Sequence, residues 1–151
     1  MDTRTLNFLF IQTHHLHFRR AHARFGEVGL AEGQPRFIRH LSEEDGLSQA
    51  ELGRRCHLEP STVTTMLSRM EKRNLVERRP DGKDRRVTRV WLTDEGRDIH
   101  RALERLGREL AEECFEGFDA EDRVRMAGYL GRMRDNMMRA EGGVADLEVV
   151  P

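Results

Sequence analysis

Apolar residues recur along this chain at three- and four-residue spacing in six stretches, and they alternate at period two in one region between residues 75 and 92. Leu6, Leu9, Phe10, Thr13, Leu16 and Ala21 mark one face of a long helix over residues 4–25, with Gly26 as its terminator. A turn over residues 29–33 leads to a second helix over 34–41, whose Pro35 sits in the first turn, where a missing N–H costs little. Gly46 closes the next connection. Ser48 caps a third helix, with Glu51 three residues on forming a capping box, and Ala50, Leu52 and Gly53 let that helix pack closely on its neighbour. Pro60 opens a fourth helix with an inward stripe of Val63, Met66, Leu67 and Met70 and a stop near Asn74. Ser61, Thr62, Thr64, Thr65, Ser68 and Arg69 are left on its outer faces. Residues 75–78 and 88–92 read as strands, joined by a turn with Pro80, Asp81 and Gly82. Thr93 caps a fifth helix, with Asp94 and Glu95 on the positive end of its dipole. It runs to about Phe115, with Ile99, Leu103, Leu106, Leu110 and Cys114 along one side. Asp119 caps a sixth, striped by Val124, Ala127, Leu130, Met133 and Met137. Residues 142–151 carry no pattern and are expected to be a loose tail.

The expected fold is therefore mainly α with a small β-wing. A capped helix, a hydroxyl-rich helix, a basic hairpin and a capped long helix follow one another within residues 47–96, which is the order of a winged helix-turn-helix module. A length of 151 residues suits one domain, or a small domain plus a dimerisation element. The module occupies about 30–95, and helices over 4–26 and 94–140 flank it. Those flanking helices carry apolar stripes but too thin a layer to bury them without a partner.

Net charge is −1, and it is unevenly placed. Between Arg69 and Arg89 nine basic side chains face four acidic ones, whereas from Leu92 onward fifteen acidic side chains outnumber nine basic. One face can attract phosphate while the rest keeps the chain in solution. Cys56 and Cys114 are too few and too far apart for a disulfide scaffold and read as reduced thiols packed like small hydrophobes. No apolar run approaches the ~18 residues of a membrane span, and Met1-Asp2-Thr3-Arg4 does not begin a signal peptide. A cytoplasmic, bacterial protein is expected.

Short side chains let a helix backbone approach the edges of bases in the major groove. Ser61, Thr62, Thr64 and Thr65 meet that need, and their hydroxyls can donate to phosphates or bases. Arg69, a turn further on, reaches a phosphate or a guanine, and Ser48 and Gln49 at the start of the third helix face the backbone. Lys83, Asp84, Arg85 and Arg86 form the wing. An arginine at its tip suits the narrow minor groove, and a carboxylate two residues away can hold that guanidinium in one orientation.

Taken together, Leu47-Ser48-Gln49-Ala50-Glu51-Leu52, Ser61-Thr62-Val63-Thr64 with Leu67, Met70 and Glu71, Asn74-Leu75-Val76-Glu77-Arg78, Asp81, Asp84-Arg85-Arg86 and Val90-Trp91-Leu92-Thr93-Asp94-Glu95-Gly96 closely resemble the MarR family of bacterial transcription regulators. Leu30 and Gln34 fit the same pattern, and the resemblance covers about residues 4–140. It implies a single domain over 1–151 and an obligate homodimer interlocked through the first, fifth and sixth helices. It also implies a pseudo-palindromic double-stranded operator, and repression relieved by a small aromatic or anionic ligand, with no cofactor required. Recognition helices in such dimers lie one DNA turn apart, ~34 Å.

For the effector, Phe10, His14, His17, Phe18, Phe37, His40 and Leu41 are the candidate pocket. Some relatives sense zinc, and here His40, His100 and Glu104, with Glu27 nearby, are the corresponding metal candidates, although Glu104 stands where a second histidine would be wanted. Redox sensing is disfavoured because the first helix holds no cysteine. A constitutive DNA-binding protein with no effector is the remaining alternative. A metal-dependent hydrolase is disfavoured, since no His-Glu-x-x-His, nucleophile elbow or phosphate-cradling loop occurs.

Overall fold

The computed structural model describes residues 1–140. The Asp2 carboxylate accepts the Thr5 amide at 2.8 Å and starts α1 (Thr3–Glu27). This helix runs through Gly26 rather than stopping there. A mid-helix glycine costs only ~1 kcal/mol, and the reversal falls at Gly29, whose φ of +74° few other residues adopt. The Gly29 amide returns to the Gly26 carbonyl at 2.8 Å, and the Leu30 amide to the Phe25 carbonyl at 3.1 Å. α2 (Gln34–Glu43) has Pro35 in its first turn and extends two residues beyond the expected end. The two-residue β1 (Leu47–Ser48) was not foreseen, being too short to show alternation. Ser48 also caps α3 (Gln49–Arg55), accepting the Glu51 amide at 3.1 Å. The second half of the expected capping box is replaced, because Arg54 and Arg55 engage the Glu51 carboxylate.

α4 (Pro60–Lys72) follows a tight turn through His57, and Val63, Leu67 and Met70 are buried along it as expected. Met66 is only half-buried. β2 (Val76–Pro80) and β3 (Thr88–Leu92) pair antiparallel in the register Val76 with Leu92 through Pro80 with Thr88. β1 pairs with the other edge of β3, giving the sheet order β1-β3-β2. β2 starts one residue later than expected and continues to Pro80, so the hairpin turn is 81–87 rather than Pro80-Asp81-Gly82. The Thr93 hydroxyl accepts the Gly96 amide at 3.0 Å and opens α5 (Asp94–Cys114). Asp119 caps α6 (Ala120–Ala140) through the Asp122 amide at 2.8 Å. The expected tail over 142–151 lies outside the described residues.

The chain divides within α5, after Arg108, into two compact units. In the first, Leu30, Phe37, Ile38, Leu41, Leu47, Leu52, Val63, Leu67, Met70, Leu75, Val76, Val90 and Leu92 make one core beneath α2, α3, α4 and the sheet, with Ile99 and Leu103 packed on its edge. This core fixes which face of α4 looks outward. α1 buries none of its residues, and Leu6, Phe8, Leu9, Ile11, Leu16 and Phe18 on it are exposed. In the second unit α6 likewise buries no residue, and Val124, Tyr129, Leu130 and Met137 stand exposed. Cys56 is buried as expected, whereas Cys114 is exposed, so the stripe expected along α5 is not covered at its end within one chain.

Candidate nucleic-acid interface

The apolar stripe of α4 faces the core, which leaves Ser61, Thr62, Thr64, Thr65 and Arg69 exposed on one outer surface. The hydroxyls there do not all point outward as donors. Thr64 Oγ1 donates to the Pro60 carbonyl at 2.9 Å, Thr65 Oγ1 to the Ser61 carbonyl at 3.0 Å and Ser68 Oγ to the Thr64 carbonyl at 2.8 Å. Such back-bonding one turn down satisfies the hydroxyl within the helix. Gln49 Nε2 donates to Thr64 Oγ1 at 2.7 Å and so ties the start of α3 to the middle of α4. Ser48, half-buried, is occupied as an N-cap acceptor. Its place beside Gln49 still puts the N-terminus of α3 on the same side as α4.

The wing is braced at two levels. At the tip, Arg86 donates Nε to Asp84 Oδ1 at 3.1 Å and Nη2 to Oδ2 at 3.2 Å, a bidentate pair, while the Arg86 amide also reaches Asp84 Oδ1 at 3.0 Å. The Arg86 side chain is 91% exposed, so the carboxylate orients the guanidinium without covering it. These hydrogen bonds from Arg86 hold the Asp84 carboxyl below its usual range. Lys83 and Arg85 are exposed beside it. At the base, Asp81 accepts the Lys83 amide at 2.7 Å and the Asp84 amide at 3.0 Å, and it pairs with Arg89. Arg89 in turn donates to the Gly46 carbonyl at 2.8 Å. The Arg89 guanidinium first, and the two amides after it, push the Asp81 carboxyl far below its ordinary value.

A second brace joins wing to helix. Arg78 on β2 donates to Glu71 at 2.6 Å and to Ser68 at 3.2 Å, both on α4, and lowers the Glu71 carboxyl. Asp81, Arg89, Arg78 and Glu71 were absent from the residues singled out for DNA contact. Each pair joins different elements, Arg78 on β2 to Glu71 on α4 and Arg89 on β3 to Asp81 in the turn, so no period within one element pointed to them.

Comparison with known proteins adds to this geometry. The sequence profile described as the MarR family matches residues 30–88, from the start of the buried core through the wing turn. The helix-turn-helix transcriptional regulator YsmB of Bacillus subtilis is 33% identical over 107 residues, spanning 70% of this chain and 73% of YsmB. The chain belongs to the MarR family of transcription regulators. Crystallised members share the fold. The PcaV transcriptional regulator of Streptomyces coelicolor is 26% identical with a TM-score of 0.75, over 90% of this chain and 97% of PcaV. BpsR of Bordetella bronchiseptica, whose DNA binding is regulated by 6-hydroxynicotinic acid, is 20% identical with a TM-score of 0.69, over 86% of this chain and 98% of BpsR. Membership makes this a DNA-binding transcription regulator and not an enzyme. Among the described residues no helix is long and apolar enough to cross a membrane.

The residues singled out for a MarR-type effector pocket do not come together. Phe37, His40 and Leu41 are buried in α2 and line the module's own core, because the i, i+3, i+4 face of a short helix over a small core is wholly enclosed. Phe10, His14 and Phe18, with His22, instead form a ladder of rings along α1 at centroid spacings of 6.4, 6.4 and 6.3 Å. His17 is exposed on the same helix. A cavity of about 470 Å³ does lie against α1, lined by Leu16, Phe18, Arg19, Arg20, His22, Ala23 and Glu32, and it takes in Phe18 alone of the seven. The metal candidates do not converge either. Buried His40 has its Nδ1 3.7 Å from the exposed Glu43 carboxylate, His100 Nε2 is 2.9 Å from Ser42 Oγ, and Glu104 is exposed. Among the described residues no group of three or more His, Cys, Asp or Glu side chains is placed to hold a metal ion.

Proposed function

We propose that the protein is a repressor that binds a pseudo-palindromic operator as a homodimer and is released by a small aromatic or anionic ligand. The observation that carries the DNA part is the pairing of two surfaces in one braced module: an outward face of α4 with Ser61, Thr62, Thr64, Thr65 and Arg69, and an exposed Arg86 held by Asp84 at the wing tip. The first suits the major groove, and Arg86 suits the minor groove beside it. Ser48, Gln49, Lys83 and Arg85 take phosphate contacts in this reading.

The homodimer is supported by the apolar side chains that α1 and α6 leave exposed in a single chain. Release by a ligand is supported by the cavity against α1, whose Arg19, Arg20 and His22 beside Leu16 and Phe18 suit an aromatic anion. The regulation of BpsR by an aromatic acid is consistent with it. A ligand of this kind acts by preferring the arrangement that DNA does not, and a coupling of ~1–3 kcal/mol changes affinity several-fold to about a hundredfold.

The test is selection of bound sequences from a randomised duplex pool, followed by titration of the selected site with and without a panel of hydroxylated aromatic carboxylates. An inverted repeat bound more weakly in the presence of one such acid is the expected result. An inverted repeat bound equally under every acid leaves a constitutive regulator, and no selected sequence removes the reading altogether.

A further inference from the structure

The hydroxyl protons of Thr64, Thr65 and Ser68 are already committed within α4. Each oxygen lies within 3.0 Å of a backbone carbonyl one turn earlier, and a carbonyl has no proton to give, so the hydroxyl must be the donor. The Gln49 contact on Thr64 then has one possible sense, from the amide N–H to the threonine oxygen. Ser68 also accepts from Arg78 at 3.2 Å and is turned toward the wing. What Thr64 and Thr65 present outward is oxygen lone pairs and methyl groups, with χ1 fixed by the back-bond.

A shallow concavity of about 250 Å³ lies on this same surface, bounded by Ser61, Thr62, Thr65, Met66 and Arg69. Met66 belongs to the apolar stripe by position yet is only half-buried: its thioether lies over Gly33 at the edge of the core, and the residue walls the recess beside Thr65. A recess with apolar walls, acceptor oxygens and one cationic edge has a definite complement in the major groove. An A·T pair offers the thymine 5-methyl and the adenine N6 amino donor side by side. A guanine facing the threonine oxygens would set its N7 and O6 acceptors against further acceptors, and a cytosine would bring a donor but no methyl.

We propose that this concavity is a socket for a thymine 5-methyl group, formed by Thr62, Thr65 and Met66, with Thr65 as the specificity-determining residue and Arg69 on the adjoining guanine or phosphate. The proposal rests on the reading of α4 as the helix that enters the groove.

The experiment uses the full chain and the duplex site it selects. Each thymine of a half-site is replaced singly by deoxyuridine, which deletes one methyl and leaves base pairing intact. One position per half-site loses roughly three- to fivefold in affinity, the worth of one buried methyl. Thr65→Ser keeps the hydroxyl and its bond to Ser61 but lacks the methyl that walls the socket beside Thr62 and Met66, so its preference for thymine over deoxyuridine shrinks. Thr65→Val keeps a methyl and preserves the preference. Circular dichroism of both variants matches the unsubstituted chain. The proposal is overturned if deoxyuridine is tolerated at every position of a well-selected site, or if Thr65→Ser discriminates as fully as the unsubstituted protein. If the pool yields no preferred sequence, the DNA-reading role of α4 fails first and the socket with it.

Discussion

At the scale of single residues the wing shows how a flexible cation becomes a directed one. Arg86 is almost fully exposed, and a free arginine there would sample many rotamers; two parallel hydrogen bonds to Asp84 restrict it before any DNA arrives. An exposed pair of this kind adds little to stability, ~0–1 kcal/mol, so its value lies in orientation. Arg86→Ala should therefore weaken operator binding by about tenfold or more, while the urea midpoint moves little. A titration at moderate salt checks this, and unchanged affinity would remove the wing from the interface. Asp81 makes a separate, pH-dependent prediction. Its carboxyl is held down by Arg89 and two amides, so the folded state binds this proton less readily than the unfolded chain. A carboxyl with a depressed folded value contributes stability above its unfolded pKa and loses it as pH falls through the folded one. The stability gap between the protein and Asp81→Asn should thus be constant near neutrality and close only as pH drops below about 4, the ordinary carboxylate value. Denaturation curves from pH 7 to pH 3 test it, and a gap that widens toward acid would reverse the assignment.

Between elements, close approach and long-range pairs decide the geometry. Gly96 is the third residue of α5, in its first turn, where a Cβ would come within 2.1 Å of the Leu75 carbonyl oxygen and 3.0 Å of Leu92 Cδ2. The contact is with backbone, which cannot swing aside, so Gly96→Ala should destabilise the fold by about 1–3 kcal/mol, read from urea unfolding at fixed protein concentration. Gly107→Ala, with nothing within 4 Å of its would-be Cβ, is the control that should not destabilise. The helices, β3 and the caps Ser48, Thr93 and Asp119 could be read from sequence, because each is set by a period or a cap within a few residues. The outward face of α4 and the Asp84–Arg86 pair were legible for the same reason. Less accessible were β1, with only two residues, and the Arg78–Glu71 and Arg89–Asp81 braces, which depend on how β2 and β3 register with each other and with α4. The direction of the Thr64 and Thr65 protons was also hidden, since sequence gives a hydroxyl but not its partner. The effector pocket was not legible either, because the apolar face of α2 satisfies a core and a cleft equally well: Phe37, His40 and Leu41 are buried in the single chain, apart from the ring ladder of α1.

For the whole molecule the unresolved energy lies in two unburied helices. α1 has 25 residues, roughly 38 Å of helix, and not one of them is buried in the single chain. Helices gain most of their stability in proteins from packing an apolar face, and exposed Phe8, Leu9, Ile11, Leu16 and Phe18 have no such packing here. α6 repeats the situation with Val124, Tyr129, Leu130 and Met137. If a second copy covers these faces, folding and association are one equilibrium, and mass action makes thermal stability depend on concentration. Each tenfold dilution then removes about 1.4 kcal/mol per dimer, which for a pair of chains of this length lowers Tm by about 2 °C. Melting followed from about 100 μM to about 1 μM should therefore fall by about 4 °C in Tm, and sedimentation over the same range should show a dimer. Leu9→Glu and Leu130→Glu, each placing a charge on one of these faces, should lower Tm and shift the sedimenting species toward monomer over the same concentration range. Both substitutions lie outside the winged module, so a half-site duplex should still bind them, while affinity for the full inverted repeat collapses toward that of the half-site. A Tm that stays constant across the range, with a monomer in the centrifuge, would mean that something other than a second copy covers α1 and α6, and the two-module operator would have to be abandoned.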